Sequence, residues 1–344
     1  MIGAGTARPK VWLVLVNWNG WRDTIECLES VFRLDYPEFG AIVCDNDSSD
    51  GSVEAIAGWA AGARPYHAPD GPLRQLTAPA LPKPIRCCVL DDPRQLQVEA
   101  LRAPLLLVRT GANLGFAAGN NIGIRIALSD PACSFVWLLN NDTVVDSGCL
   151  AHMVDVAVCD CGDGITGSLN CFYEKPELVQ SLGGGRFFPL RASGYLHAHA
   201  LRRTDITPAV LAHAQANLEW VSGVSMLVPR RFIERVGEME ERYFLYFEEI
   251  DWALRSARQF KNRLAPSALV YHKAGSSTGE YTDSAFAVYT QCRARFKLYR
   301  KLLPALLPLC YLRTARTFLV AVLRGRRGSA WAIARAARDH LFEP

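Results

Sequence analysis

The chain has 344 residues, is 50% hydrophobic and carries a formal net charge of +4 at pH 7. This length exceeds that of a typical single core and the hydrophobic content is ample for folding, so we expect one large α/β domain with a C-terminal appendage. The eleven cysteines follow no regular spacing, which argues against a disulfide framework and against a zinc site of paired CxxC units. A reducing, cytoplasmic compartment is therefore expected.

The charges are unevenly distributed along the chain. Residues 284–338 contain twelve Lys/Arg and no Asp or Glu, whereas residues 1–283 contain 26 basic and 32 acidic residues, a net charge of −6. We therefore predict a main domain of residues 1–283, followed by a separate basic region of residues 284–344.

The first predicted element is a buried strand at residues 11–16, an apolar run that ends at Asn17. The run is too short for the core of a signal peptide. Residues 21–33 follow with apolar positions at helical spacing, which completes a βα unit. A second short strand, residues 41–44, ends at Asp45 and leads into another helix.

Residues 63–104 interrupt this rhythm, because eight of the nineteen prolines lie there and the segment shows little periodicity. We predict a long, irregular surface insertion. A lid over a site is the alternative.

A glycine-rich turn at residues 111–121 follows the third predicted strand, residues 105–108. Its glycines allow the backbone to approach a ligand closely at the start of a helix. The turn lacks the GxGxxG spacing of a dinucleotide-binding fold, so a Rossmann dehydrogenase is not expected.

The fourth strand is the apolar run of residues 135–139, which stops at Asn140, Asn141 and Asp142. Four βα units thus precede residue 160, which predicts an α/β fold with a doubly wound, mostly parallel sheet and helices on both faces. Ligands bind beyond the carboxyl ends of such strands. The triplet is therefore a candidate site, although an Asp/Asn turn would have the same composition.

Beyond residue 162 the pattern changes to mixed strands and loops, with one strand predicted at residues 218–228. An aromatic run then leads into a helix that begins with Glu248, Glu249 and Asp251. Three carboxylates so close together repel one another unless a cation or a substrate proton is near. A solvated helix N-terminus, where acids are favoured, is the alternative. A further strand at residues 268–271 ends at His272.

The order of these polar segments resembles that of the family 2 inverting glycosyltransferases with the GT-A fold, most closely their rhamnosyltransferase-like branch of bacterial surface-polysaccharide enzymes. The resemblance covers roughly residues 11–280. Four segments carry it: the strand end at Asp45, the turn from Asn113 to Asn121, the triplet of residues 140–142, and Glu248-Glu249-x-Asp251.

The resemblance implies a binding site for a nucleotide-sugar donor in the first half of the domain, about residues 1–160. Base and ribose would contact three residues after the first two strands: Asn17, Asn19 and Asp45. The glycine-rich turn would shape the sugar pocket with Asn113, Gly115 and Asn120. The second half, about residues 161–283, would bind the acceptor.

The family's Asp-x-Asp metal motif corresponds to residues 140–142, with Asn140 in place of the first Asp. Asn140 and Asn141 would then face the donor, and Asp142 would be the anionic ligand of Mg²⁺ or Mn²⁺. One or two carboxylates suffice for such an ion beside phosphate oxygens and water. His272 would supply another metal or phosphate contact, and a structural role is its alternative.

The family's Glu-Asp-x-Asp motif corresponds to Glu248-Glu249-x-Asp251. The resemblance implies that Glu249 is the catalytic base that deprotonates the acceptor hydroxyl, with Asp251 as the fallback base. Glu248 would orient an acceptor hydroxyl or Arg255. Glu249 is one methylene longer than the family's Asp, so its geometry must differ.

The basic C-terminal region is predicted to form helices at residues 291–303 and 311–323. The uncharged run of residues 302–312 is followed by Arg313 and Arg316, so no uninterrupted apolar stretch long enough for a transmembrane helix is present. A basic amphipathic segment lying on an anionic membrane is expected, with an ordinary helical cap as the alternative. No recognition motif for nucleic acid accompanies the charge.

Together these features predict a cytoplasmic inverting glycosyltransferase, peripheral at the inner face of the cell membrane. It would move a sugar, with rhamnose as one candidate, to a hydroxyl of a glycan or lipid-linked acceptor in surface-polysaccharide synthesis. A sugar-phosphate nucleotidyltransferase is one alternative, but residues 17–20 are not its Gly/Arg/Lys-rich loop. A non-catalytic nucleotide-sugar-binding protein is the other, motivated by Asn140 and Glu249.

Overall fold

The structure, a computed structural model, describes residues 8–159, 164–273 and 284–342. The strands are β1 (Lys10–Asn17), β2 (Phe39–Asp45), β3 (Cys87–Leu90), β4 (Leu105–Arg109), β5 (Cys133–Leu139), β6 (Thr143–Val145), β7 (Thr166–Phe172), β8 (Val179–Leu182), β9 (Gly184–Phe188), β10 (Ser193–Leu196), β11 (Trp220–Val221), β12 (Ser225–Pro229) and β13 (Arg263–His272). The α-helices are α1 (Trp21–Val31), α2 (Ser52–Ala61), α3 (Gly115–Leu128), α4 (Cys149–Cys159), α5 (Pro208–Ala216), α6 (Arg230–Val236), α7 (Glu248–Ser256), α8 (Ala285–Leu302), α9 (Leu307–Leu323) and α10 (Arg327–Leu341).

Ten of these strands form one large sheet. Its order is β3-β4-β2-β1-β5-β12-β7-β13-β6, and β8 also pairs with β7. The first five strands in this order run parallel, and β13 runs parallel to β7. The predicted α/β fold with a mostly parallel sheet is confirmed.

The carboxyl ends of the parallel strands meet at one edge of the sheet. Asn17 of β1 pairs with Asp45 of β2, which in turn pairs with Arg109 of β4. β5 runs alongside β1 and ends at Leu139. The polar residues that follow these strands therefore share one edge, where ligands bind in open α/β sheets.

The strand predicted over residues 218–228 is in fact two strands in different sheets. β11 belongs to a small antiparallel sheet with the order β10-β9-β11, whereas β12 belongs to the main sheet. β12 runs antiparallel to β5, so the turn before it, residues 222–224, lies where β5 ends. The backbone N–H of Asn140 donates to the carbonyl oxygen of Val224 at 3.0 Å, which fixes that turn beside the triplet.

Apolar clusters cover both faces of the main sheet, which explains the unbroken apolar runs in the sequence. Trp12 and Leu13 are adjacent in β1 and belong to opposite clusters, yet both are fully buried. Helices α1, α2 and α4 contribute to one cluster, and α3 and α6 contribute to the other. A strand that is buried on both faces does not need to alternate between polar and apolar residues.

The proline-rich insertion contributes β3 to the outer edge of the sheet. Glu29 of α1 anchors it, because its carboxylate accepts hydrogen bonds from the Leu81 backbone N–H at 2.9 Å and from Lys83 Nζ at 3.1 Å. Trp59 Nε1 donates to the same carboxylate at 2.8 Å. These contacts favour an anchored surface insertion over a lid.

The C-terminal helices are packed onto the main body. Phe296, Leu298 and Tyr299 of α8 are fully buried and share an apolar cluster with Phe187 and Tyr243. The predicted boundary at residue 283 falls in residues 274–283, which lie outside the described residues, so the division into domains stays a prediction. Within the described residues, α8 nevertheless belongs to the same core as α7.

One described segment, Pro304–Leu323, is long and apolar enough to cross a membrane by length and composition, and 17% of it is buried. Counting uninterrupted apolar residues did not predict this, because Arg313 and Arg316 lie within the segment.

Candidate active site

Asp142 and His272 face each other at the edge of the main sheet. His272 is the last residue of β13 and pairs with Thr143 of the antiparallel β6. This pairing leaves Asp142 Oδ1 3.0 Å from His272 Nε2, and the Lys273 backbone N–H donates to the carbonyl oxygen of Asp142 at 3.0 Å. Both side chains are mostly buried. The two residues predicted as metal ligands are therefore neighbours.

Gln180 of β8 orients the His272 ring, since its Oε1 lies 3.0 Å from His272 Nδ1. With Nδ1 donating to that oxygen, Nε2 presents a lone pair toward the Asp142 carboxylate. Two acceptors at this distance need a cation or a proton between them. The arrangement suits a divalent ion held by one carboxylate and one imidazole, with the remaining positions left for phosphate oxygens and water.

Few protein side chains are available to bind a metal at this candidate site. No group of three or more His, Cys, Asp or Glu side chains that could hold a metal occurs in the described part of the chain. A diphosphate would therefore have to supply several ligands, as Mg²⁺ and Mn²⁺ sites in nucleotide-using enzymes allow. These residues fit a metal that binds together with a diphosphate-containing ligand.

The three residues of the triplet point in different directions. Asn140 Nδ2 lies 3.3 Å from His272 Nε2, on the same side as Asp142. Asn141 is buried and donates from Nδ2 to Thr24 Oγ1 at 2.9 Å. Thus Asn140 and Asp142 face the candidate ligand site, whereas Asn141 supports the scaffold.

A network of amides and hydroxyls joins β1, β2 and the triplet. Asn17 is fully buried; its Oδ1 accepts from Thr24 Oγ1 at 2.8 Å and its Nδ2 donates to Asp45 Oδ1 at 2.7 Å. Ser48 Oγ also donates to Asp45 Oδ1 at 2.7 Å, and the Ser48 N–H donates to Oδ2 at 3.0 Å. Asn17 therefore holds Asp45 in place, and its own polar atoms are already engaged.

Asn19 lies at the exposed edge of this network, in the loop after β1, and its backbone N–H donates to Ser48 Oγ at 2.9 Å. It adopts φ = 52°, and its Oδ1 accepts from the Ser49 N–H at 2.8 Å. The exposed indole of Trp18 stands beside it in the chain. This loop offers the exposed groups that a nucleoside would meet, whereas Asn17 lies behind it.

The glycine-rich turn contacts the aromatic segment that precedes α7. Gly115 has φ = 79°, and a Cβ there would lie 2.2 Å from the carbonyl oxygen of Phe244. That oxygen accepts from the Phe116 N–H at 2.8 Å, and Asn113 Oδ1 accepts from the Gly115 N–H at 3.2 Å. Only glycine permits this approach of two backbones. The turn therefore contacts the aromatic segment that leads into the acidic motif at the start of α7.

Asn120 takes part in α3 and not in the exposed part of the turn. It is buried and donates from Nδ2 to the Phe116 carbonyl oxygen, one helical turn earlier, at 2.9 Å. In this geometry Asn120 supports the turn, and its role in shaping the sugar pocket stays a prediction.

Glu248 and Glu249 begin α7 after two residues with left-handed backbone, Tyr246 and Phe247, both at φ = 71°. Burial raises the pKa of Glu248 well above its ordinary value, and the charge of Glu249 adds to the shift. Burial also raises the pKa of Glu249, against the opposing effect of hydrogen bonds from its own backbone N–H and that of Gly223. Backbone strain of this kind concentrates at functional sites.

The two glutamates retain capacity for a ligand. Oε2 of Glu248 and Oε2 of Glu249 are both shielded and have no hydrogen-bond partner. Glu248 is buried, whereas Glu249 is partly exposed. A shielded carboxylate with a raised pKa and an unused oxygen is suited to accept a proton near neutral pH.

Asp251 lies about one helical turn after Glu248 and is fully buried. Its Oδ1 accepts from Arg255 Nε at 2.7 Å, and its Oδ2 lies 3.0 Å from Lys301 Nζ and 3.2 Å from the Tyr243 hydroxyl. Both carboxylate oxygens are therefore occupied. This arrangement fits a structural ion cluster better than the predicted fallback base.

Three residues of the site were not predicted from the sequence: Gln180, Gly223 and Lys301. Gln180 reaches His272 from β8, Gly223 reaches Glu249 from the turn before β12, and Lys301 reaches Asp251 from α8. Each lies far along the chain from its partner, in an element without a motif. Only the split at residues 222–224, where Ser-Gly interrupts a strand-like run, gave a signal in the sequence.

The comparisons with known proteins find relatives among sugar transferases. No family model matches the chain. The chain is 24% identical over 193 residues to a low-salt glycan biosynthesis hexosyltransferase of Haloferax volcanii, a match that covers 55% of this chain and 58% of that protein. It is 29% identical over 199 residues to the N-acetylglucosaminyl-diphospho-decaprenol L-rhamnosyltransferase of Mycobacterium tuberculosis, covering 53% and 63%. The chain therefore spans less than two thirds of the length of these curated relatives.

The fold is similar to that of the mannosyltransferase from Pyrobaculum calidifontis, solved in complex with GDP-Man and Mn²⁺. The superposition covers 98% of this chain and 88% of that chain, with a TM-score of 0.52 and 14% sequence identity. At this identity the likeness establishes the fold alone. The chain therefore has the GT-A fold, and its sequence is similar to those of a hexosyltransferase and a rhamnosyltransferase, as its motifs predicted.

Proposed function

We propose that this chain is an inverting glycosyltransferase that uses a nucleotide-sugar donor, a divalent cation and a hydroxyl acceptor. The observation that carries the proposal is the presence, in one GT-A fold, of the Asp142–His272 pair at the sheet edge and of the shielded Glu248–Glu249 pair at the start of α7. The first pair suits a metal-bound diphosphate, and the second suits a general base.

Asp142 and His272 would hold Mg²⁺ or Mn²⁺, which when bound neutralises charge on the diphosphate leaving group. Gln180 keeps the imidazole turned toward the site, and Asn140 adds an amide donor beside it. Asn19 and the Asp45 network would shape the nucleoside side. Asn113 and Gly115 would shape the sugar side through their contact with the Phe244 segment.

Glu249 is the proposed base. It would accept the proton of the acceptor hydroxyl while that oxygen forms a bond to C1 of the donor sugar and the bond from C1 to the diphosphate breaks. The hydrogen bond from the Gly223 N–H fixes the carboxylate, and burial keeps its affinity for a proton high. Glu248, with a still more shielded carboxyl group, would orient the acceptor hydroxyl. Asp251 positions α7.

The donor sugar proposed here includes rhamnose as one candidate, because one relative is named an L-rhamnosyltransferase. The acceptor would be a glycan or a lipid-linked glycan in cell-surface polysaccharide synthesis. Synthesis of a lipid-linked acceptor would take place at a membrane surface. This location agrees with a cytoplasmic protein that has a basic C-terminal region. A non-catalytic nucleotide-sugar-binding protein is the competing function.

The test begins with a thermal-shift screen of nucleotide sugars in the presence of Mg²⁺ or Mn²⁺, since a ligand of the folded state raises the melting temperature. Donors that bind are then tested for release of nucleoside diphosphate and for sugar transfer. Wild-type turnover that is lost in both Asp142→Ala and Glu249→Gln supports the assignment. Near wild-type turnover in both variants would show the site assignment to be wrong, and binding without any turnover would favour the competing function.

A further inference from the structure

We infer that the corner between α9 and α10 is a monotopic membrane-docking surface, which inserts apolar side chains among anionic lipid headgroups without spanning the bilayer. The inference rests on the proposed function only in the choice of a membrane as the place of work. Its evidence is the exposure and charge of named residues in the C-terminal helices.

The apolar stripe of α9 points away from the protein. Leu312, Leu319 and Leu323 are 67%, 58% and 86% exposed, at spacings of seven and four residues that place them on one face of the helix. The opposite face, with Cys310, Thr314 and Ala321, is buried. A helix on the surface of a water-soluble protein normally directs its leucines toward the protein interior. The leucines of this stripe therefore lack an apolar environment.

The beginning of α10, just after the turn, also exposes a large apolar side chain. Trp331 is 64% exposed, although Ala332, Ile333 and Ala336 on the inner side of α10 are buried. Indole rings favour the boundary between headgroups and acyl chains, because one part of the ring is apolar and the other is polar. An exposed tryptophan eight residues after Leu323, the last leucine of the stripe, therefore fits a membrane interface.

Arginines surround these apolar side chains. Arg316 is exposed within the stripe of α9, and three more exposed arginines lie at the turn. They are Arg324, Arg326 and Arg327. Together with the apolar side chains they form the pattern of an interfacial amphipathic helix, which binds by apolar burial and by attraction to anionic lipids.

The charge also decides between a membrane and a second copy of this chain. Residues 284–344 carry twelve Lys/Arg against Asp339 and Glu343. Self-association through the corner would bring two strongly basic surfaces together, and each copy's C-terminal region has only two acidic residues to offset the repulsion. An anionic bilayer supplies the opposite charge. We therefore assign the surface to lipid.

The packing of α9 decides between lying on the membrane and crossing it. The segment passes the criteria of length and composition for a span, but one face is committed to protein contacts. Thr314 and Ala321 are buried there, and Arg313 Nη1 donates to the carbonyl oxygen of Arg191 at 2.9 Å. Spanning would require breaking these contacts, whereas docking uses only the exposed face.

The experiment measures flotation of the full-length protein with vesicles of phosphatidylcholine alone or mixed equally with phosphatidylglycerol. Wild type is expected to bind the mixed vesicles and not the neutral ones, with binding that weakens as salt rises. The double variant Leu319→Glu/Leu323→Glu should lose about tenfold or more in partitioning. Arg324→Ser/Arg327→Ser should also bind less and respond less to salt.

Matched controls are available in the insertion. Val98 is 71% exposed and Arg94 is also exposed, so Val98→Glu and Arg94→Ser should bind vesicles as wild type does. The melting temperature of every variant reports folding. Donor turnover with a soluble acceptor should be unchanged in the α9 variants, because none of these residues lies in the candidate active site.

The inference would be overturned if wild type did not bind anionic vesicles, or if the α9 double variant bound them as well as wild type does. Resistance to extraction at alkaline pH would instead establish a spanning helix, and dimerisation abolished by Leu319→Glu/Leu323→Glu would establish a second copy as the occupant. Vesicle binding without any sugar transfer would leave this surface standing and remove the proposed function. Sugar transfer without vesicle binding would remove this surface and leave the proposed function standing.

Discussion

Lys301 Nζ lies 3.0 Å from Asp251 Oδ2, so the end of α8 holds the beginning of the helix that carries the acidic motif. The same ammonium group lies 2.8 Å from a carboxylate oxygen of Glu240. Lys301 and Arg242 together hold the pKa of Glu240 well below its usual range, with Arg242 as the larger cause. The basic C-terminal region is thus joined to the site by ion pairs, of which the pair with Asp251 is partly buried.

Lys301→Met is expected to destabilise the protein by about 2 kcal/mol, because Asp251 loses a charge-assisted partner but keeps Arg255. Urea unfolding at neutral pH measures the change in the free energy of unfolding. Lys297→Met is the matched control on the same helix, since Lys297 donates to a carbonyl oxygen at the surface, and it should cost less than about 0.5 kcal/mol. Equal losses in the two variants would contradict a special role for Lys301.

Removal of the metal pair should abolish the effect of Mn²⁺ on donor binding. Asp142→Ala should eliminate the Mn²⁺-dependent rise in melting temperature with a nucleotide-sugar donor, because it removes the only carboxylate of the pair, and His272→Ala should weaken that rise, because the carboxylate of Asp142 remains. Gln180→Leu should weaken the response about 10–100-fold in metal concentration, as loss of an outer-shell partner does. His67→Ala, an exposed histidine in the insertion, is the control. An unchanged Mn²⁺ response in Asp142→Ala would exclude this pair as the metal site.

Glu249→Gln should lower kcat about 10²–10⁴-fold and leave donor affinity unchanged, since an amide cannot accept the acceptor proton. Asp251→Asn should instead act through stability, because both oxygens of Asp251 are engaged in ion pairs and a hydrogen bond. Steady-state kinetics on both variants, with melting temperatures, separates the two roles. A larger fall in kcat for Asp251→Asn in a fully folded variant would reverse the assignment of the base.

Glu248 should make stability depend on pH. Its pKa is raised in the folded protein by burial and by Glu249, so the folded state binds more protons than the unfolded state above the ordinary pKa of a glutamate. Stability must then fall as the pH rises from that value through the raised one. Glu248→Gln removes this loss, so its advantage over wild type should grow as the pH rises above the ordinary pKa of a glutamate. Urea unfolding across this range measures it, and a constant difference would contradict the shift.

Gly115→Ala tests the contact between the turn and the Phe244 segment. The new methyl group would meet the Phe244 carbonyl oxygen, in addition to the strain of a left-handed residue. Gly111→Ala is a matched control, because Gly111 has φ = 81° and a Cβ there meets nothing within 4 Å. Gly111→Ala should cost about 1 kcal/mol from strain alone, and Gly115→Ala should cost clearly more. Similar free energies of unfolding for the two variants would show that the two backbones can move apart at no energetic cost.

The sequence predicted the fold because its strongest signals are local. Residues 135–139 form an apolar run that ends in polar residues, which indicates a doubly buried strand and its carboxyl end without knowledge of any partner. The pairing of Asp142 with His272 followed from the family resemblance. The roles of Asn17, Asn120 and Asn141 were harder to predict, since a polar residue at a strand end can support a site or face it with the same composition.

The remaining site residues depend on contacts between distant segments. Asp251 was predicted as a fallback base because it stands in the acidic motif, but the partner that engages it, Lys301, lies fifty residues later in α8. Gln180 precedes His272 by ninety-two residues in an edge strand. Periodicity carries no information about such pairs, because each is specified by the packing of helices and strands.

The antiparallel direction of β12 has a consequence for how the proposed reaction can be altered. Because that strand begins where β5 ends, the Asn140–Val224 hydrogen bond and the neighbouring Gly223–Glu249 hydrogen bond connect the proposed metal site to the proposed base through one short turn of backbone. The spacing between the two is therefore set by this backbone turn. Insertion or deletion of a single residue in that turn would alter the spacing, so loop length there is a lever on the reaction separate from the chemistry of the residues themselves.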